Sequence, residues 1–474
     1  MFLRQIFDPN LAQYSYLIGC QSTGDAIIFD PERDIDRYRE IAEHEDLKIT
    51  AVAETHIHAD FVSGAREFAE SDPEIRLYLS GEGGSDWQSE WAKDLPHVTL
   101  LQNGDVFRVG KIEFKALHTP GHTPEHMAFL VTDVGGGANE PMAMLSGDFL
   151  FVGDAGRPDL LEQAAGKKGA QEEGAKELYQ SLRTLVGLPD YLQVLPAHGA
   201  GSSCGKALGS VPSSTLGYER KFNPALKLAL DQSEKDFSDF ILSGQPEPPA
   251  YFSEMKRVNR AGFQTLGDLP KPRRLSIEEV APRLDDKAFV VLDTRPRTAF
   301  LAGHLQRSLW APRAQFAGFA GSFLTPGDEI VLVVEEMDGT EGFVRQLIRM
   351  GFDRVTGVLL ASDVQSAPAE MTASTPAVKF SEVPALLAGG DQWQLLDVRK
   401  AGEFSEGHLE NAQNISHTRL RVRLAEVPRE KKPLVSCASG ARATAAAAFL
   451  ARNGIEAVSV ADQFANAPDE LLNA

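Results

Sequence analysis

"ETHIHADFVSG" (residues 54–64) sets His56 and His58 two apart, with Asp60 two further on. It follows the apolar run "ITAVA", so it reads as a buried strand opening into a loop. In extended backbone the side-chain period is two, so both histidines face one side and can address one centre. The same arrangement recurs downstream: "HTPGHTPEH" (118–126), "SGD" (146–148) and "PAHG" (196–199) each close an apolar run, with "GRPDL" (156–160) nearby. Loops at strand ends are where sites are built. Imidazole combined with carboxylate suits zinc or ferrous iron rather than magnesium or calcium. Around these motifs the strands come in runs with helices between them, an α+β sandwich pattern with histidines at strand ends.

A chain of 474 residues exceeds one hydrophobic core, which stops growing near about 250–300 residues, so several domains are expected. The net charge of −20 argues against nucleic acid or an anionic membrane surface as partner. No apolar run reaches the roughly 20 residues of a membrane span, and "MFLRQIFDPN" lacks a signal-peptide core, so a cytoplasmic location is expected. Cys20, Cys204 and Cys437, odd in number and far apart, do not form a disulfide framework. "GDLPKPRRLS" (267–276) and "SAPAEMTASTPA" (366–377) break the apolar pattern and read as linkers, which leaves segments 1–265, 273–365 and 378–474. The last two are copies of each other: "LDTRPRTAFLAGHL" (292–305) and "LDVRKAGEFSEGHL" (396–409) share Asp, Arg, Phe, Gly, His and Leu at a constant offset. In each copy strands alternate with helices, which predicts a parallel sheet covered on both faces.

Across roughly residues 1 to 250, "THIHAD", "HTPGHT", "SGD" and "PAHG" together resemble the metallo-β-lactamase fold, an αββα sandwich. "THIHADFVSG", "HTPGHTPE", "SGDFLFVGDAGRPDL" and "PAHGAGSSCGK" resemble its persulfide dioxygenase branch. That resemblance implies one Fe(II) held by His56, His122 and Asp148, two histidines and a carboxylate on one face with positions left for a persulfide sulfur and O₂. It makes His58, Asp60 and His198 supporting residues. In the di-zinc branches the residue after the HxHxD aspartate is a ligand of the second metal, whereas here it is Phe61, so a single metal is expected. Arg157 is a candidate for pairing with substrate anions, and Cys204 for a thiol near the metal, against the plainer readings of a surface turn and a small buried hydrophobe.

"VSCASGARATA" (435–445) is a strand, a tight loop and an Ala-rich helix. Inward amides and the positive helix end would stabilise an anionic sulfur on Cys437, with Gly440 shaping the loop and Arg442 adding charge. With "LDVRKAGEFSEGHLENAQNI" upstream, the repeated segments resemble two rhodanese domains, which implies a persulfide carried on Cys437. The first copy departs from that pattern: "VVEEMDGTEGF" (333–343) has no cysteine and carries Glu335, Glu336, Asp338 and Glu341, so it is expected to be catalytically inactive.

These motifs point to a bifunctional enzyme of α/β multidomain class: a persulfide dioxygenase producing sulfite and thiol, and a thiosulfate sulfurtransferase. Its partners would be a small thiol persulfide, O₂, sulfite and thiosulfate, and homo-oligomerisation is left open. Two other readings compete with it. One is a zinc thioester hydrolase of glyoxalase II type fused to a rhodanese, against which Phe61 counts. The other is a non-catalytic sulfur carrier, against which an open metal site counts, since structural sites are normally closed.

Overall fold

The apolar runs of the first segment become two six-stranded sheets in the computed structural model, which describes residues 1–165 and 169–473. The first sheet is formed by β1 (Phe2–Asp8), β2 (Gln13–Gly19), β3 (Asp25–Phe29), β4 (Lys48–Ala53), β5 (Arg76–Ser80) and β6 (Val98–Leu101), in that spatial order. The second is formed by β7 (Val106–Val109), β8 (Ile112–His118), β9 (Met127–Thr132), β10 (Ala143–Gly147), β11 (Gln193–Pro196) and β12 (Ser214–Thr215), ordered β12-β11-β10-β9-β8-β7. Their inner faces enclose one core, where the Phe29 ring lies 5.3 Å from Phe114 and 5.1 Å from Phe129. Helices Asp36–His44 and Ala65–Ser71 cover the outer face of the first sheet. Helices Ala170–Thr184, Pro224–Asp231 and Glu234–Leu242 cover the second. This is the expected αββα sandwich. The C-terminal ends of β4, β8, β10 and β11 lead into the histidine- and aspartate-bearing loops, so the sheets set the spacing of the site.

The chain divides into two compact units: residues 1–245 with 252–267, and residues 246–251 with 268–474. Both repeats belong to the second unit. Each has a five-stranded parallel sheet of the same topology, ordered 273–274, 355–360, 329–334, 289–293, 309–310 in the first repeat and 377–378, 458–460, 432–436, 393–397, 413–414 in the second.

The two stretches read as linkers are not structureless. Arg273–Arg274 pairs with Val355–Leu360, Thr372–Ala373 pairs with His304–Leu305, and Ala377–Val378 pairs with Val458–Val460. Two-residue strands are too short to show an apolar period, so none marks them in the sequence. Among the described residues no helix is long and apolar enough to cross a membrane.

Candidate metal centre and sulfur-transfer loop

Beyond β4 the chain turns through residues 54–64, and its polar groups are tied down inside the protein. Thr55 Oγ1 donates its one hydrogen to Asp30 Oδ2 (2.9 Å), so at 2.9 Å from His56 Nδ1 it must accept. His56 therefore carries its proton on Nδ1 and presents the Nε2 lone pair. His198 arrives at the same arrangement independently: Nδ1–H donates to the Ala12 carbonyl (3.1 Å), and Nε2 faces Asp60 Oδ2 at 3.3 Å and Asp148 Oδ1 at 3.5 Å. His122 Nε2 lies 3.5 Å from Asp148 Oδ2.

The ligand atoms of His56, His122 and Asp148 lie within 4.8 Å of one another, and so do those of Asp60, His198 and Cys204. Both Asp148 oxygens, Asp60 Oδ2 and His198 Nε2 are buried with no hydrogen-bond donor. Lone pairs facing carboxylates without a proton between them are unfavourable in the interior, and a cation removes that cost, so the residues fit a metal. Burial pushes the Asp148 and Asp60 carboxyls up to about 6 and His122 down to about 3, with His198 adding to the drop in His122.

Other histidines are committed elsewhere. His126 Nε2 accepts from the Asp148 amide (3.0 Å) and its Nδ1 meets Thr119 Oγ1 (2.8 Å), so it aims Asp148 and has no nitrogen left for a metal. His118 Nε2 donates to the Pro124 carbonyl (2.8 Å). His58 spends its Nε2 on carboxylates, 2.9 Å from Glu54 and 3.2 Å from Asp30, while its Nδ1 is buried without a partner. Burial disfavours its charge, but the Asp30 and Glu54 carboxylates outweigh that and hold it well above the ordinary histidine range. The Phe61 ring stacks on His58 at 4.3 Å between centroids.

Three expectations change here. A second metal would not face an apolar ring, because Phe61 covers His58 and the donor beside Asp60 and His198 is Cys204. Arg157 does not reach for substrate. Fully buried, it forks onto Asp159 at 3.0 and 2.5 Å and donates to the Ser203 carbonyl at 2.7 Å, bracing the residue before Cys204. Cys204 is no ready nucleophile: burial, reinforced by the Asp148 and Asp60 charges, holds its thiol well above the usual range. The residue that sequence reasoning missed is Asn259. Its Nδ2 donates to the His58 and Phe61 carbonyls (2.8 and 2.7 Å) and its Oδ1 accepts from the Ser63 amide (2.9 Å), clamping the metal loop from about 200 positions away.

In the second unit Cys437 is buried at the end of strand Lys432–Ser436, and its Sγ accepts the amides of Gly440 (3.1 Å) and Ala443 (3.3 Å). Gly440 has φ +79°, and a Cβ there would lie 2.7 Å from the Ala461 backbone, so this turn requires glycine. Arg442 is less available than its sequence position implies. It forks onto Glu403 at 2.6 and 2.7 Å, and that pairing, stronger than the opposing burial, lowers the Glu403 carboxyl to about 2. The first repeat reaches this loop: Arg297 Nη1 donates to the Ser439 carbonyl at 2.6 Å, and Phe319 packs edge-on against His417, their rings 5.7 Å apart. Neither residue stands out in the sequence. At the equivalent loop of the first repeat, Glu335, Glu336 and Asp338 are exposed and Gly339 retains the left-handed turn at φ +84°.

Comparison with known proteins agrees with both halves of this picture. The metallo-beta-lactamase superfamily model matches residues 8–198. A metallo-beta-lactamase of known structure from Staphylococcus aureus subsp. aureus COL is 39% identical, with a TM-score of 0.66 over 76% of this chain and 99% of that one. The chain belongs to the metallo-β-lactamase superfamily. Its superfamily domain is joined to a C-terminal rhodanese-like domain, whose family model matches residues 380–466. Relatives of the metallo-β-lactamase domain include enzymes of two kinds. "Persulfide dioxygenase ETHE1, mitochondrial" of Bos taurus is 27% identical over 56% of this chain and 90% of its own length. "Hydroxyacylglutathione hydrolase cytoplasmic" of Arabidopsis thaliana is 35% identical over 39% of this chain and 63% of its own.

Proposed function

We propose that the chain joins two steps of sulfur chemistry. One is oxidation of a low-molecular-weight thiol persulfide by O₂ at a single ferrous iron held by His56, His122 and Asp148. The other is sulfane-sulfur transfer through a persulfide on Cys437, which gives or uses thiosulfate. The convergence of two histidine nitrogens and one carboxylate within 4.8 Å carries the first reading, because it is the donor set of non-haem iron oxygenases. Bound there, ferrous iron would supply the redox chemistry by which a thiol persulfide, O₂ and water become thiol, sulfite and two protons. Thr55 and Asp30 fix the His56 tautomer, the His126 ring aims Asp148, and Asn259 holds the loop. A cleft of about 850 Å³ is lined by Lys256, Arg257 and Arg260 and by Asp86, Glu173 and Glu177; Arg257 and Arg260 are paired with Glu254 and Glu90, which leaves Lys256 to meet an anionic thiol carrier. In the transferase, a Cys437 persulfide gives its outer sulfur to sulfite, forming thiosulfate and restoring the thiolate. The Gly440 and Ala443 amides stabilise the negative sulfur throughout.

The Asp60, His198 and Cys204 cluster and the hydroxyacylglutathione hydrolase relative favour a second reading, a dinuclear zinc thioester hydrolase fused to the rhodanese. Metal analysis separates the two. Anaerobically purified protein is expected to hold one iron per chain and to consume O₂ when given a thiol persulfide. Two tightly bound zinc ions with thioester hydrolysis would establish the hydrolase instead.

The Arg297 contact gives the cysteine-less repeat a role in shaping the loop. Loss of a charged hydrogen bond of about 1.5–3 kcal/mol corresponds to roughly 10–100-fold. Arg297→Ala is expected to slow persulfide formation on Cys437 by about that factor, with Arg297→Lys recovering part of it and O₂ uptake unaffected. An Arg297→Ala protein with full transferase rate would show that the loop holds its shape unaided.

A further inference from the structure

Where the two repeats meet inside the second unit they enclose a cleft of about 590 Å³ that neither proposed reaction uses. The helix Ala441–Arg452 starts at the Cys437 loop and ends at this cleft, about 17 Å away at 1.5 Å per residue. Five cations line it, Lys287, Arg307, Arg421, Arg429 and Arg452, against one acid, Asp328. Such a concentration stands out in a chain of net charge −20.

The cations are poorly compensated. Among the described residues Arg307 pairs with one carboxylate, Asp285, at 3.2 Å, and that group is 96% exposed, so water and salt screen the pair. Asp286 is taken up by Arg283 at 3.5 Å. Arg452 is committed to the repeat seam, donating to the Arg307, Lys287 and Phe289 carbonyls at 2.8, 2.9 and 3.0 Å. Among the described residues no carboxylate forms a close ion pair with Arg421 or Arg429, and the single Asp328 charge is shared between Arg421 and Arg452. The Nε–H groups of Arg421 and Arg307 are buried without an acceptor. A buried guanidinium donor with no acceptor is costly, and the acceptor it best fits is a planar or tetrahedral oxyanion.

The cleft also has an apolar side. Phe323 of the first repeat and Phe449 of the second line it and stack on each other at 4.9 Å. Its volume exceeds that of a lone sulfate or phosphate and falls in the range of small-molecule sites, about 300–1,000 Å³. We propose that the seam between the repeats binds an organic polyphosphate of nucleotide size, with its phosphates among Arg307, Arg421 and Arg429 and its organic part toward the apolar side. The proposal does not depend on the sulfur chemistry assigned above.

ATP, pyrophosphate and adenosine are the probes, titrated calorimetrically into the intact protein. Arg421→Ala/Arg429→Ala is the test variant, because among the described residues neither side chain forms a hydrogen bond or close ion pair across the seam, and an unchanged thermal melt checks its fold. ATP and pyrophosphate are expected to bind wild type, more weakly as salt is raised from 50 to 300 mM, and at least 10-fold more weakly to the variant. Adenosine is expected to bind at least 10-fold more weakly than ATP. The proposal is overturned if neither phosphate binds at millimolar concentration, if adenosine binds as well as ATP, or if the variant binds ATP like wild type, which would place the ligand elsewhere, such as at the metal centre. Should the variant melt early, Arg421→Gln serves in its place under the same criteria.

Discussion

Cys437→Ser is expected to abolish sulfur transfer from thiosulfate, by more than about 10³-fold as for loss of other catalytic nucleophiles, while persulfide-dependent O₂ uptake continues. The thiol and the metal donors belong to different compact units, so removing one leaves the other's chemistry in place. Serine nearly matches cysteine in size and can keep the Gly440 and Ala443 amide bonds that now end on Sγ. Its hydroxyl does not ionise near neutral pH and cannot carry a second sulfur, so the change tests chemistry rather than folding. The product should then shift from thiosulfate toward sulfite, resolved by thiol-trapping chromatography. Undiminished thiosulfate formation would mean that sulfur moves by another route. Cys204 is the remaining thiol near a site, but burial and two neighbouring carboxylates hold it protonated. The Cys204→Ser/Cys437→Ser protein separates that thiol from uncatalysed capture by free sulfite.

His122→Ala should remove both the metal and the O₂ uptake, because one of three converging donors is lost. His58→Ala should behave differently. Its Nε2 is held by Asp30 and Glu54 and it is not one of the three proposed ligands, so metal should be retained and activity should fall by about 10–100-fold, as is usual when a supporting residue is lost. It should also cost stability, about 3–5 kcal/mol, because the buried Asp30 and Glu54 carboxylates lose their cation. Elemental analysis with a thermal melt reads both effects. Equal and complete metal loss in the two variants would place His58 among the ligands and contradict the assignment.

The sequence by itself determined the sandwich, the duplication and the places where chemistry can occur. Apolar runs dictate strands, and an HxHxD stretch or a CxxGxR loop at a strand end is legible locally, since period and turn chemistry act over a few residues. Tertiary structure decided which donors converge and which are already spent. His56, His58 and His126 look alike as letters. Only the neighbours brought by folding separate a free Nε2 from one spent on Asp30 and Glu54 and from a ring that aims Asp148. Arg157 and Arg442 were legible as cations but not as occupied ones, because Asp159 and Glu403 take them. Asn259 on the metal loop, Arg297 on the Cys437 loop and the cationic seam had no local signal at all. Each depends on contacts between residues far apart in sequence, and a hydrogen bond or charge cluster of that kind leaves no period in the chain that forms it.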